Sequence, residues 1–188
     1  MNYYRIFSKT YERAAKKMCL ACQDFIEKGS KILDLGCGSG IVGNQFKEFF
    51  YAEVIGVDII DRRILPLPFE IIDGKHLPFP EKYFDVILIN YVLHHAKDPT
   101  ALLKNAKRVG KKIIIFEDLP EGLFSKLICR FHGLSYSTLF KNPNFISFNS
   151  EKDWEKIFKE IGLNVIFKKR INNFLIKKEL FICEPRAK

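Results

Sequence analysis

Short apolar runs along this chain alternate with stretches in which apolar residues recur every three or four positions. The runs at 32–35, 53–57, 69–74, 82–90 and 112–118 are strand-length and bounded by turn residues, so they read as five strands. Beyond Asp85 the fourth run is almost wholly apolar, the mark of a strand buried on both faces of a parallel sheet. Helical spacing appears over 10–28, where Tyr11, Ala14, Ala15, Met18, Cys19, Cys22, Phe25 and Ile26 share one face. Thr10 is its expected N-cap and Gly29 its stop. Further helices are expected over 41–50, 98–108 and 150–162. The last opens on Ser150-x-x-Asp153, a capping-box pattern, and carries Trp154, Ile157, Phe158 and Ile161. Two closing strands, 164–168 and 179–183, joined through 169–178 as a hairpin, set one strand antiparallel. The pattern predicts an α/β fold: a doubly wound, mostly parallel seven-stranded sheet with an antiparallel last strand. Residues 119–149 break the rhythm. Leu123, Leu127, Ile128 and Phe131 keep helical spacing there, and the rest is aromatic and turn-rich.

At 188 residues the chain is expected to form one domain, with 1–29 as N-terminal helix, 30–118 as a ligand-binding half, 119–149 as an insert and 150–188 as closing helix and hairpin. No apolar run approaches membrane-span length, and Met1–Phe7 lacks the apolar core of a signal peptide. Five cysteines without framework spacing fit reduced thiols, so a cytoplasmic location is expected. Cys19-x-x-Cys22 has no second Cys/His pair nearby and reads as a buried helix face, not as a metal site. Charge is uneven. Residues 1–100 carry as many acids as bases, so the whole net +9 falls in 101–188. Such asymmetry marks either a solvated lysine face or an anion-binding surface.

The chemistry gathers at the strand ends. Strand one runs into Gly36, Gly38 and Gly40 at alternate positions, a turn where backbone passes close to a ligand. Strand two ends in Asp58, whose two oxygens can accept from two ribose hydroxyls. Counted from Gly36, the third glycine of the dinucleotide fingerprint G-x-G-x-x-G falls on Ile41, and no basic residue in the turn meets a phosphate. Asp34, just ahead of the turn, favours a cationic ligand over a pyrophosphate. Strand three ends in Asp73-Gly74, and strand four in Asn90-Tyr91-Val-Leu-His94-His95. Ligands of open α/β sheets bind at these carboxyl ends.

Asp34-x-Gly36-x-Gly38-x-Gly40 resembles motif I of class I S-adenosylmethionine-dependent methyltransferases. Leu77-Pro-Phe-Pro-Glu-Lys-Tyr-Phe-Asp-Val-Ile, with Val92-Leu-His-His, extends the resemblance to the small-molecule family called methyltransferase type 11, over about residues 30–118. The resemblance implies a Rossmann-like methyltransferase fold, with S-adenosylmethionine as cofactor and S-adenosylhomocysteine as product. It implies that Gly36, Cys37, Gly38 and Gly40 pass beneath the methionine part, and that Asp34 reaches its ammonium group directly or through water. Asp58 would accept from the ribose, Ile59 pack on the adenine, and Asp73 accept from the adenine amino group with Gly74 giving room. Asn90 and Tyr91 would line the sulfonium end. Asp85 is expected to organise local backbone instead.

Methyl transfer needs a general base only where the acceptor must lose a proton. His94 and His95 are the candidates, against a packing or turn-capping role. The chain lacks the Asn/Asp-Pro-Pro-aromatic signature of base-amino methylation and a Pro-Cys pair at a strand end. A small-molecule acceptor is therefore expected, apolar or aromatic if Phe124, Phe131, Tyr136, Phe140, Phe145 and Phe148 wall its pocket. Tyr3, Tyr4 and Tyr11 could close it as a lid. Two alternatives stand: an RNA methyltransferase using Lys168, Lys169, Arg170, Lys177 and Lys178, and a non-catalytic cofactor-binding partner subunit.

Overall fold

A computed structural model of the protein describes residues 3–120, 127, 148–171 and 177–186. Seven strands form one sheet: β1 (Lys31–Leu35), β2 (Glu53–Asp58), β3 (Phe69–Ile71), β4 (Phe84–Asn90), β5 (Gly110–Leu119), β6 (Leu163–Ile171) and β7 (Lys177–Pro185). Their order is β3-β2-β1-β4-β5-β7-β6. β1 pairs in parallel with both β2 and β4, so the winding reverses between β1 and β4. β7 runs antiparallel to both β5 and β6. This is the doubly wound sheet, with its antiparallel last strand, that the hydrophobic pattern predicts.

Strand alternation sorts the core into two layers. Leu33, Leu35, Ile87, Ile89, Ile113 and Ile115 point to one face and pack with Leu103 and Ala106 of α4 (Pro99–Val109) and Trp154 and Phe158 of α5 (Glu151–Glu160). Ile32, Val86, Leu88, Ile114 and Phe116 point the other way. They meet Met18 and Cys19 of α2 (Ser8–Ala21) and Phe46 and Phe50 of α3 (Ile41–Phe50). A four-residue turn of helix, α1 (Tyr3–Ile6), precedes α2.

The caps work as local chemistry requires. Asp98 accepts from the Ala101 N–H at 2.8 Å with Pro99 at the first helical position of α4. Ser150 and Asp153 form the complete reciprocal box. The N-terminal helix differs from expectation. It begins at Ser8 rather than Thr10, with no side-chain cap, and stops at Ala21. Cys22 leaves helical geometry at φ −120°, and a 3₁₀ turn, Gln23–Phe25, follows. The turn brings Phe25 against Phe167 of β6, ring centroids 4.7 Å apart, a contact that a helix continued to residue 28 has no means of anticipating. β3 is also shorter than read, because Asp73 already folds back on the backbone of Lys75 and His76. The expected helix within 119–149 lies almost wholly outside the described residues. Among those described, no helix is long and apolar enough to cross a membrane.

Candidate active site

The register sets the site. Leu35 is level with Val57 and Ile89, and Asn90 with Phe116. The next residues along β1, β2 and β4 are Gly36, Asp58 and Asn90, so these three meet at one level where the winding reverses.

Gly36, Gly38 and Gly40 have φ of 77°, 50° and 75°, left-handed values that side chains with a Cβ rarely adopt. At Gly36 an added Cβ would collide with Val92. Above Gly38 it would meet only the Tyr4 hydroxyl, at 3.8 Å, so a ligand has room to pass close to the backbone there. Tyr4 is buried and meets Tyr11 edge-on, which brings one face of the N-terminal helix over the turn. Asp58 holds the turn shut from the neighbouring strand. Its Oδ2 accepts from the Gly38 N–H at 2.9 Å and its Oδ1 from the Ile59 N–H at 2.7 Å. Cys37 is buried against Gly56, and burial beside Asp34 and Asp58 pushes its thiol up, so it stays protonated and unreactive.

Asp34 lies beneath the turn. It points to the α3 face, is 1% exposed, and sits where Gly43 of α3 leaves out a Cβ that would stand 2.7 Å from its Oδ2. Burial and then the charge of Asp58 push its carboxyl up to about 7, partly offset by the Gly43 N–H. Oδ2 nevertheless makes no well-formed hydrogen bond. Asn90 Oδ1 is likewise buried and, among the described residues, unpartnered. Buried polar atoms are almost always satisfied, so two such acceptors beside a glycine turn fit a ligand rich in donors.

Ile59 is 41% exposed, and its Cγ2 lies 3.2 Å from where a Cβ of Gly74 (φ 76°) would stand. Asp73 uses Oδ1 for the N–H groups of Lys75 and His76, at 2.7 and 2.8 Å, and these hold its carboxyl below the usual range. Tyr91 has φ 56°, and Lys178 of β7 lies 4.1 Å from its ring centroid. Asp85 stands at the far end of β4, where it accepts from the Lys31 N–H at 2.8 Å.

A family model described as a methyltransferase domain matches residues 4–167. The chain belongs to the methyltransferase-domain family. Its cofactor is S-adenosylmethionine, and the class I resemblance read from the sequence holds. An uncharacterized Methanocaldococcus jannaschii protein is 30% identical over 88% of this chain and 83% of its own length. An uncharacterized methyltransferase of Schizosaccharomyces pombe is 32% identical over 46% of this chain, which spans only 38% of that relative. Among solved structures, a Pyrococcus horikoshii protein superposes with a TM-score of 0.73 at 20% identity, covering 99% of both chains. A Methanosarcina mazei S-adenosylmethionine-dependent methyltransferase does so with a TM-score of 0.72 at 15% identity, covering 89% of this chain and 98% of its own.

In this methyltransferase the two histidines are not equivalent. His94 is buried and its Nδ1 pairs with Glu117 Oε1; His95 is half-buried and its ring lies 4.1 Å from that of His94. Phe148 stacks on His94 at 5.2 Å. The other aromatic residues expected to wall the acceptor pocket, Phe124, Phe131, Tyr136, Phe140 and Phe145, lie outside the described residues, as does the side chain of Tyr3. Sequence reasoning passed over Glu117 and Asp118, and it took Lys178 only as part of a basic surface. The signal available was two acids closing the otherwise apolar run 113–116, on a strand whose neighbour ends in the histidines.

Proposed function

We propose that this methyltransferase acts on a small, apolar or aromatic acceptor. The observation that carries this reading is the meeting of Gly36, Asp58 and Asn90 at one level of the sheet, with His94 and Phe148 on the adjoining loops. The methionine part of the cofactor would lie along Gly36–Gly40, with Asp34 and the Asn90 side-chain Oδ1 as acceptors for its donors. Asp58 would take the ribose, Ile59 and Gly74 the adenine ring, and Asp73 its amino group. When bound, the sulfonium supplies an electrophilic methyl carbon and a neutral thioether leaving group. What remains for the protein is to hold the acceptor in line, exclude water and, where needed, take a proton. His94 is the better placed of the two histidines for that last task, because Glu117 fixes its ring.

The state of the basic C-terminal half favours a small acceptor over RNA. Lys168 pairs with Glu151 and Glu155, Arg170 with Glu151 and Glu179, and Lys178 with Asp118. Cations already neutralised by acids make a weak phosphate track. Methyl-labelled S-adenosylmethionine offered with a panel of small phenols, quinols and amines, and separately with total RNA, tests the reading. Label is expected in the small-molecule fraction. Label in RNA alone would overturn it.

A further inference from the structure

The pair formed by His94 and Glu117 is too costly to be packing alone. Both residues are almost wholly buried, His94 at 5% and Glu117 at 1% exposure, on the side of the sheet that carries a largely aliphatic and aromatic core layer. A buried carboxylate held by a histidine seldom stabilises a fold as well as apolar residues of the same size. Glu117 is also incompletely satisfied. Its Oε1 accepts from His94 Nδ1 and from the Asp118 N–H at 3.0 Å, while its Oε2 has no partner among the described residues.

We propose that Glu117 positions His94 to receive a proton from the acceptor, so that the methylated group is one that carries a proton and must lose it: a hydroxyl or an acidic carbon. This rests on the methyl-transfer reading above and narrows its acceptor class.

The geometry argues it in three steps. β4 and β5 pair with Asn90 level with Phe116, which places Glu117 beside the loop leaving β4, one strand over from the glycine turn. A carboxylate on Nδ1 fixes the tautomer, so Nδ1 carries the hydrogen and the lone pair is at Nε2. His95 and Phe148 close on the ring and hold its plane. The charged groups acting on His94 are Glu117 and Asp118 from β5 and Lys178 from β7, and on its own loop the His95 ring packs against it. Burial works against the protonated imidazole and Lys178 opposes it too, but Glu117, with Asp118 behind it, outweighs both and raises its proton affinity. In the transfer, a bond forms between the acceptor atom and the methyl carbon as the carbon–sulfur bond breaks, its electron pair staying on sulfur. The acceptor's proton passes to Nε2. The resulting imidazolium is paired with the Glu117 carboxylate until it gives the proton to water.

The test uses the whole chain and its histidine ¹⁵N resonances, with diethylpyrocarbonate as a probe of Nε2. In the wild type His94 is expected as the Nδ1–H tautomer, titrating above a free imidazole. It is expected to be carbethoxylated at Nε2 with the same midpoint, and protected by a bound phenol. Glu117→Gln should lower both midpoints together by about one unit, a tenfold loss of proton affinity. Calorimetry with S-adenosylhomocysteine, run alongside, reports whether the variant is folded. An Nε2–H tautomer in the wild type, which needs no variant to observe, would overturn the proposal. So would a His94 inert to the reagent in the native protein, an unmoved midpoint in the variant, or methylation confined to proton-free acceptors such as tertiary amines. Wild type that fails to bind S-adenosylhomocysteine would instead sink the methyl-transfer reading itself.

Discussion

Asp34 shows what one residue contributes and costs. A carboxylate held in an apolar layer with an unpartnered oxygen prefers its proton, and its folded-state value near 7 lies well above the ordinary 3.8. Between those two values the folded protein holds a proton that the unfolded chain has released. Stability is therefore expected to fall as pH rises from about 4 through about 7, by on the order of 4 kcal/mol at most. Asp34→Asn should flatten that slope. Denaturant melts at about pH 5 and about pH 8 check this: equal losses in wild type and variant would remove Asp34 as the cause. A bound cation relieves the same penalty, which gives the arrangement a reason to exist. The turn at Gly36, Gly38 and Gly40 was legible from spacing alone, because it needs left-handed backbone at fixed offsets. Glu117 was not, because its significance appears only when β5 is known to lie beside β4. Nothing in a linear pattern places residue 117 next to residue 94.

At the scale of elements, helix starts marked by a cap or by the glycine turn were readable, while the ends of the first long helix and of several strands were not. Ser150 and Asp153 satisfy each other's neighbouring donors, so the start of α5 is fixed locally. Ser150→Ala should cost about 1 kcal/mol, seen as a drop of roughly 2–4 °C in Tm. A larger loss would mean that the residue also supports the loop from Phe148. The first long helix lacks any such device, and its end is decided by where Phe25 finds Phe167. Tertiary packing set that boundary, which is why the apolar periodicity overran it by several residues. The last two strands are longer than their apolar cores because β6 and β7 keep pairing through charged positions, Arg170 opposite Glu179 among them.

At the scale of the molecule, strand order does the work of assembly. Winding reverses at β1, so the glycine turn, Asp58 and Asn90 meet although 54 positions separate the first from the last. The asymmetric charge, visible in composition, carries less than it promised. Lys168, Arg170 and Lys178 answer acids on α5, β5 and β7. Binding to single-stranded RNA is accordingly expected to be weak at low salt and to vanish by about 0.15 M, measured by fluorescence anisotropy. Tight binding with a steep salt slope would restore the nucleic-acid reading. The central claim is that the strand ends form one pocket for S-adenosylmethionine. Calorimetric titration of S-adenosylhomocysteine into wild type and Asp58→Ala tests it most directly. One site per chain is expected, weakened by Asp58→Ala by about tenfold or more, some 1.4 kcal/mol or above. No binding to the wild type, or binding unchanged by the loss of Asp58, would contradict the account.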